Sequence, residues 1–139
     1  MKKINNKILR IHAWFLMALT ITNTIMSLIG TFKGIGPYNW LHSMPLVEAG
    51  LYQAYLLMFL LAVVLLLNAN RKDVWKYNLI AILAHMVALS VNFIFKETIQ
   101  NSGFGNLSTF SIAIHSSWIF TEAIGLFLSI KSSNNNKMD

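Results

Sequence analysis

Residues Leu56–Leu67 read LLMFLLAVVLLL, twelve apolar positions without a break. They end a longer run, Pro45–Leu67, whose only charged residue is Glu48. A helix needs about 20 mostly apolar residues to cross the hydrocarbon of a bilayer, so this stretch predicts a membrane span. Three other segments meet the same criterion: about 8–30, 75–95 and 109–130. The reading is an all-α polytopic membrane protein, a four-transmembrane-helix bundle forming one domain over 1–130. A polar tail, KSSNNNKMD, follows over 131–139 and is expected to be disordered.

Composition agrees. The 139 residues are 55% hydrophobic and 12% charged, against about 25% charged in soluble domains. The absence of cysteine removes disulfides, thiolate catalysis and thiolate metal sites. The net charge of +6 comes from residues flanking the apolar segments, which points to anionic lipid headgroups and not to nucleic acid. The opening MKKINNKILR precedes an apolar run too long for a signal peptide, with no small-residue cleavage site, and reads as part of a retained first helix.

Lysine and arginine predict the orientation. Nine of them (Lys2, Lys3, Lys7, Arg10, Arg71, Lys72, Lys76, Lys131 and Lys137) fall on the side of the termini and the second loop, and two (Lys33 and Lys96) on the other. Both termini are therefore expected in the cytoplasm. The expected location is the plasma (inner) membrane of a bacterium. The Asn, Lys and Ile content suits an AT-rich genome.

The connections are short. RKDV is a tight polar turn, TFKGIGPYNWLHSM carries the breakers Gly34, Gly36 and Pro37 with Tyr38 and Trp40 as interfacial anchors, and ETIQNSGFGNLS reads as a polar loop. Ser43 is placed to cap the second helix, with Pro45 in its first turn.

The polar residues inside the spans carry the functional question. Residues seven apart on a helix differ by about 20° in direction and share a face. Ser111, His115, Trp118, Glu122 and Ser129 form one stripe, Asn78, His85 and Asn92 another. His12, Asn23, Ser27 and Gly30 form a third with Thr20 beside it; Glu48, Tyr52 and Tyr55 form a fourth, with Gln53 turned away. A charged side chain at the centre of a membrane helix costs about 2.5–3.5 kcal/mol on insertion scales, so the stripes should face inward. Centring each span in the bilayer puts His85 near the middle. Glu122 then falls roughly 4 Å to the cytoplasmic side and His115 about 7 Å to the outer side. His12 and His42 fall at the interfaces, in reach of water.

Glu122, His115, His85, Glu48, Asn92, Tyr52, Trp118, Asn23 and Gln53 are the candidate ligand-binding residues. They suggest an outward-opening intramembrane pocket for a small hydrophobic or amphipathic molecule, gripped by aromatics and met by ionisable groups. As an enzyme the site would transfer protons, with Glu122 as acid and a histidine as base. A second reading is a proton- or cation-conducting component, possible as a homo-oligomer. A third is an accessory or immunity-type protein that uses the GIGPYNWLHSM loop. No cofactor is assigned. His85 and His115 are chemically able to hold haem, and His85, His115, Glu122 and Glu48 a zinc-like ion. There is no H-E-x-x-H, E-x-x-H, Walker or G-x-G-x-x-G motif. In helix count and polar interior the layout is similar to small four-helix membrane proteins of the sterol-isomerase and sigma-2 receptor type. That resemblance implies a lipid-like ligand around buried acidic groups; no motif aligns, so no residue role is carried over.

Overall fold

The computed structural model describes residues 2–101 and 103–135. Among them there are five α-helices and no strand. They are α1 (Lys2–Lys33), α2 (Pro45–Asn68), α3 (Trp75–Ile94), α4 (Lys96–Asn101) and α5 (Gly105–Asn135). A 3-10 turn, Asn39–Ser43, precedes α2. Four of the helices, all but α4, are long and apolar enough to cross a membrane. The shortest of these, α3, has 20 residues, about 30 Å of helix, which matches the thickness of the hydrocarbon.

Their surfaces agree with that setting. Leu57, Leu60 and Leu67 on α2 are exposed, as are Phe110, Phe120 and Phe127 on α5. Water would penalise such surfaces, while lipid tails accept them at no cost. Burial is reserved for a mixed set that recurs at helical spacing. On α1 it takes Asn5, Leu9, His12, Leu16, Thr20 and Ser27. On α3 it takes Asn78, Ala81, His85 and Asn92.

Several ends differ from the sequence expectation. The ETIQNSGFGNLS stretch is not a plain loop: Lys96–Asn101 forms α4. Gly103, at φ +80°, then reverses the chain. The Gly103 N–H bonds the Gln100 carbonyl and the Phe104 N–H bonds the Ile99 carbonyl, a Schellman closure that needs the left-handed residue glycine supplies. That closure lets α5 begin at Gly105, a turn earlier than expected. At its other end α5 continues through Lys131 to Asn135; residues 136–139 of the expected tail lie outside the described residues. Ser43 does not cap α2. Its hydroxyl donates back to the Trp40 carbonyl, and the Met44 carbonyl receives the first α2 bonds, from Val47 and Glu48 N–H.

The chain divides into two compact units. One, Arg10–Leu67, comprises most of α1, the 3-10 turn and α2. Here Gly34 (φ +65°) stops α1, with its N–H bonded to the Gly30 carbonyl. The returning chain then lays the Tyr38 backbone directly on Gly30, and Leu41 is fully buried. The other unit joins the residues up to Leu9 to those from Asn68 onward, so it contains the start of α1 with α3, α4 and α5. Its α2–α3 turn is tied by Asp73, which accepts from Arg71 and Lys76, each at 3.2 Å. The Lys76 hydrogen bond, seconded by Arg71, keeps the exposed Asp73 carboxyl below its ordinary range.

Gly30 generates a test. A Cβ there would overlap the Tyr38 carbonyl, which is backbone and cannot swing aside. Gly30→Ala is expected to destabilise the protein by about 1–3 kcal/mol, seen as a lower Tm in detergent or nanodiscs. An unchanged Tm would contradict the contact.

Candidate functional site

Two polar systems occupy the interiors of the two units, and each is described on its own.

The first belongs to α3 and α5. Asn78 donates from Nδ2 to Glu122 Oε2 at 2.5 Å. His85 and His115 meet through their Nδ1 atoms at 2.8 Å. Asn92 accepts from Ser108 Oγ at 2.9 Å and donates to Ser111 Oγ at 3.2 Å. Each step of seven residues along α3 (78, 85, 92) is answered by seven residues back along α5 (122, 115, 108), as antiparallel helices in register require. Trp118 lies parallel to the His85 ring, with an 8° interplanar angle and centroids 6.5 Å apart.

This register corrects the depths read from the sequence. His115 is level with His85, not 7 Å outside it. Glu122 is level with Asn78, which puts it about 10 Å from the histidine level, towards the α2–α3 turn. The cause is plain: centring each apolar segment separately ignores that α5 has 31 residues against 20 in α3. The surplus of α5 is not shared equally between its ends.

The histidine contact has a definite chemistry. Two facing nitrogens at 2.8 Å hold one hydrogen between them. One imidazole is therefore the Nδ1–H tautomer and the other presents a bare Nδ1. One added proton leaves that bond in place and makes it charge-assisted; a second would set two N–H groups and two charges head to head. The contact thus tolerates one added proton and not two.

The same contact bears on metals. Two histidines on opposite sides of a haem iron would hold their nitrogens about 4 Å apart, at metal–nitrogen distances near 2.0–2.1 Å. The Nδ1 atoms here stand at 2.8 Å, hydrogen-bonded to each other, so this arrangement does not hold an iron between them. Among the described residues, no three His, Asp or Glu side chains converge as a metal-binding group, so the four-residue set considered for zinc is not brought together.

At the Glu122 level, the sequence stripes left out one participant. Asn5, on the first turns of α1, is fully buried, and neither its Oδ1 nor its Nδ2 has a hydrogen-bond partner. It comes to Gly125, one turn beyond Glu122. A Cβ on that glycine would lie 2.8 Å from Asn5 Oδ1 and 2.6 Å from Asn78 Nδ2. Asn78 Oδ1 is likewise buried without a partner. Asn5 was legible in principle: it stands seven residues before His12, on the same face of α1.

The second system belongs to α1, α2 and the loop between them. Ser27 donates to Glu48 Oε1 at 2.9 Å, while Glu48 Oε2 is buried without a partner. Tyr38 donates to Asn23 Oδ1 at 2.7 Å, and the Tyr55 hydroxyl follows at 3.3 Å from that of Tyr38. Tyr38, expected as an interfacial anchor, is thus the centre of an internal chain of bonds. Beside it a cleft of about 230 Å³ is lined by Thr20, Ile21, Thr24, Ile25, Tyr55, Leu56 and Phe59.

Two candidates join neither system. Tyr52 and Gln53 are both exposed on α2. Tyr52 is turned about 60° from Tyr55, enough to leave the buried face. His12 departs in the other direction: it is fully buried, not interfacial. His42 is exposed as expected, with Nδ1 at 2.7 Å from the Thr31 carbonyl.

No known protein family, curated protein or solved structure matches this chain.

The Asn78–Glu122 bond can be weighed by a double-mutant cycle. Asn78→Ala is expected to cost about 1–3 kcal/mol, and Glu122→Gln less, because an amide oxygen still accepts. The two effects should fall short of additivity by at least about 0.5 kcal/mol. Strictly additive losses in Tm or unfolding free energy would show that the pair is not coupled.

Proposed function

We propose that this is a proton-handling protein of the plasma membrane of a bacterium, with both termini in the cytoplasm and His85–His115 as its proton-binding element. The observation that carries the reading is the 2.8 Å Nδ1–Nδ1 contact. Polar packing alone is served by any donor and acceptor; a histidine pair on the inward face of a membrane span adds a group able to take up and release a proton. The levels of Asn92 and Glu122 stand about 10 Å to either side of it along the helices. Protons would pass between levels through water or a moving side chain, not by direct transfer. The lysine and arginine bias supports the orientation, which places the Glu122 level on the cytoplasmic side and Asn92 on the outer side.

A second reading, binding of a small hydrophobic molecule, draws on the cleft in the Arg10–Leu67 unit. At about 230 Å³, walled by Ile21, Ile25, Leu56 and Phe59, it suits a short stretch of acyl or isoprenoid chain. Its one strong polar handle is Tyr55, already bonded to Tyr38.

The two readings separate experimentally. In proteoliposomes under a pH gradient, His85→Ala or His115→Ala should lower proton flux about tenfold or more. That is the loss of one charge-assisted hydrogen bond worth about 1.5–3 kcal/mol. Thr24→Trp, which fills the cleft, should leave the flux unchanged. Nitrogen NMR should show one Nδ1-protonated and one Nε2-protonated imidazole that respond together on acidification. Equal flux in wild type and both histidine variants, with two independent titrations, would overturn the proton reading.

A further inference from the structure

The node beneath the histidine pair holds the least satisfied polar groups of its unit. Asn5 and Asn78 are both fully buried, and three of their four side-chain polar atoms have no hydrogen-bond partner. Leaving a buried amide group unpaired costs about 1–3 kcal/mol, and two amides in this condition at one spot call for a guest. Both converge on the backbone of α5 at Gly125, next to the Glu122 carboxyl.

We infer that Asn5, Asn78 and Glu122 form a binding site for a small monovalent cation of sodium size. Two amide oxygens and a carboxylate are hard donors, the set that selects alkali and alkaline-earth ions over transition metals. Charge then decides between one and two positive charges. Glu122 is the sole buried carboxylate among the described residues of its unit. A monovalent ion neutralises it; a divalent ion leaves a net positive charge out of water, at a cost of several kcal/mol. Size decides among the monovalent ions. Asn5 Oδ1 and Asn78 Nδ2 both lie under 3 Å from the position that a Cβ on Gly125 would take, so the two amide ends stand close together, a spacing that favours the smaller ion, sodium, over potassium.

The Asn78–Glu122 bond describes the cation-free arrangement, in which the carboxyl is met by an N–H. Turning the Asn78 amide about its terminal bond exchanges nitrogen for oxygen with almost no change of shape. The oxygen then faces the ion, which takes over from the N–H as the partner of the carboxylate. Asn5 needs no such exchange, since its Oδ1 already faces Gly125. The site uses residues other than the histidine pair, and it does not depend on proton uptake there.

The test uses the full chain in nanodiscs of neutral lipid, with NaCl, KCl or choline chloride at equal ionic strength. The Tm should climb with sodium concentration as site occupancy requires, respond less to potassium, and stay flat in choline. A broadened sodium NMR line should accompany the rise. Asn5→Ala should abolish the sodium response; the side chain has no hydrogen bond to lose, so this variant is expected to fold. Glu122→Gln should abolish the response as well. His85→Ala should keep the sodium response while losing proton flux, so the two proposals fail separately. Identical Tm curves in sodium and choline, or a full sodium response in Asn5→Ala, would overturn the site; the wild-type comparison alone decides if a variant fails to fold.

Discussion

Hydrocarbon supplies no hydrogen bonds, and it gives apolar helices no reason to prefer one neighbour over another. The relation between α3 and α5 is therefore set by the bonds that their polar side chains find in each other. Asn78 with Glu122, His85 with His115, and Asn92 with Ser108 and Ser111 are three rungs at one spacing. Sliding α5 by one turn would separate all three at once. The apolar residues around them could repack after such a slide at little cost, because lipid and leucine are nearly equivalent surroundings. Register is thus carried by a few polar residues, and the chemistry proposed for the protein rests on the same ones.

This double duty separates the rungs. At the Asn92 rung the amide accepts from one serine and donates to another, both as neutral groups, and ordinary packing accounts for it. In the His85–His115 rung the bond itself determines how many protons the pair can hold. At the Glu122 rung there are polar groups that the helices do not satisfy between them, since Asn78 Oδ1 and both polar atoms of Asn5 are left over. The proposed cation site rests on those leftover atoms. In the Arg10–Leu67 unit the pattern is milder. The Asn23–Tyr38–Tyr55 chain is closed, and two buried oxygens stay without a partner among the described residues: Thr31 Oγ1, and one oxygen of Glu48 in the first turn of α2, where the helix N-terminus favours negative charge.

Much of the fold was legible in the sequence because hydrocarbon thickness is a simple ruler. The α2 and α3 bounds fall within a residue of the apolar segments read from composition. The inward stripes were legible for a similar reason: a seven-residue spacing projects Asn78, His85 and Asn92 onto one face whatever the partner. The register between helices was not legible, because each stripe states which face is turned inward and nothing about height. Centring the segments was a neutral assumption, and the unequal lengths of α3 and α5 defeated it. Tyr38 was hidden by its context. A tyrosine between Pro37 and Trp40 looks like an interfacial residue, and only the absence of a side chain at Gly30 lets the loop fold back to bring its hydroxyl to Asn23. Asn5 was hidden by the lysines around it, which mark the stretch as a headgroup-facing terminus.

The correction in depth changes what Glu122 is suited to do. A carboxyl near the bilayer centre would exchange ions slowly, because every route to it crosses hydrocarbon. Placed with Asn78, one turn into α3 from the lysine-bearing α2–α3 turn, it lies within a short helical step of water. In the proposed orientation that water is cytoplasmic, so an ion could reach the carboxylate from the cell interior without passing the histidines. The histidine pair lies about 10 Å further along the helices, and on the proton-handling proposal it would receive its protons through the protein. The proposed cation site and the proposed proton site thus stand at different levels of one helix pair. Both draw on α3, which supplies Asn78 to the first and His85 to the second, two helical turns apart on one face.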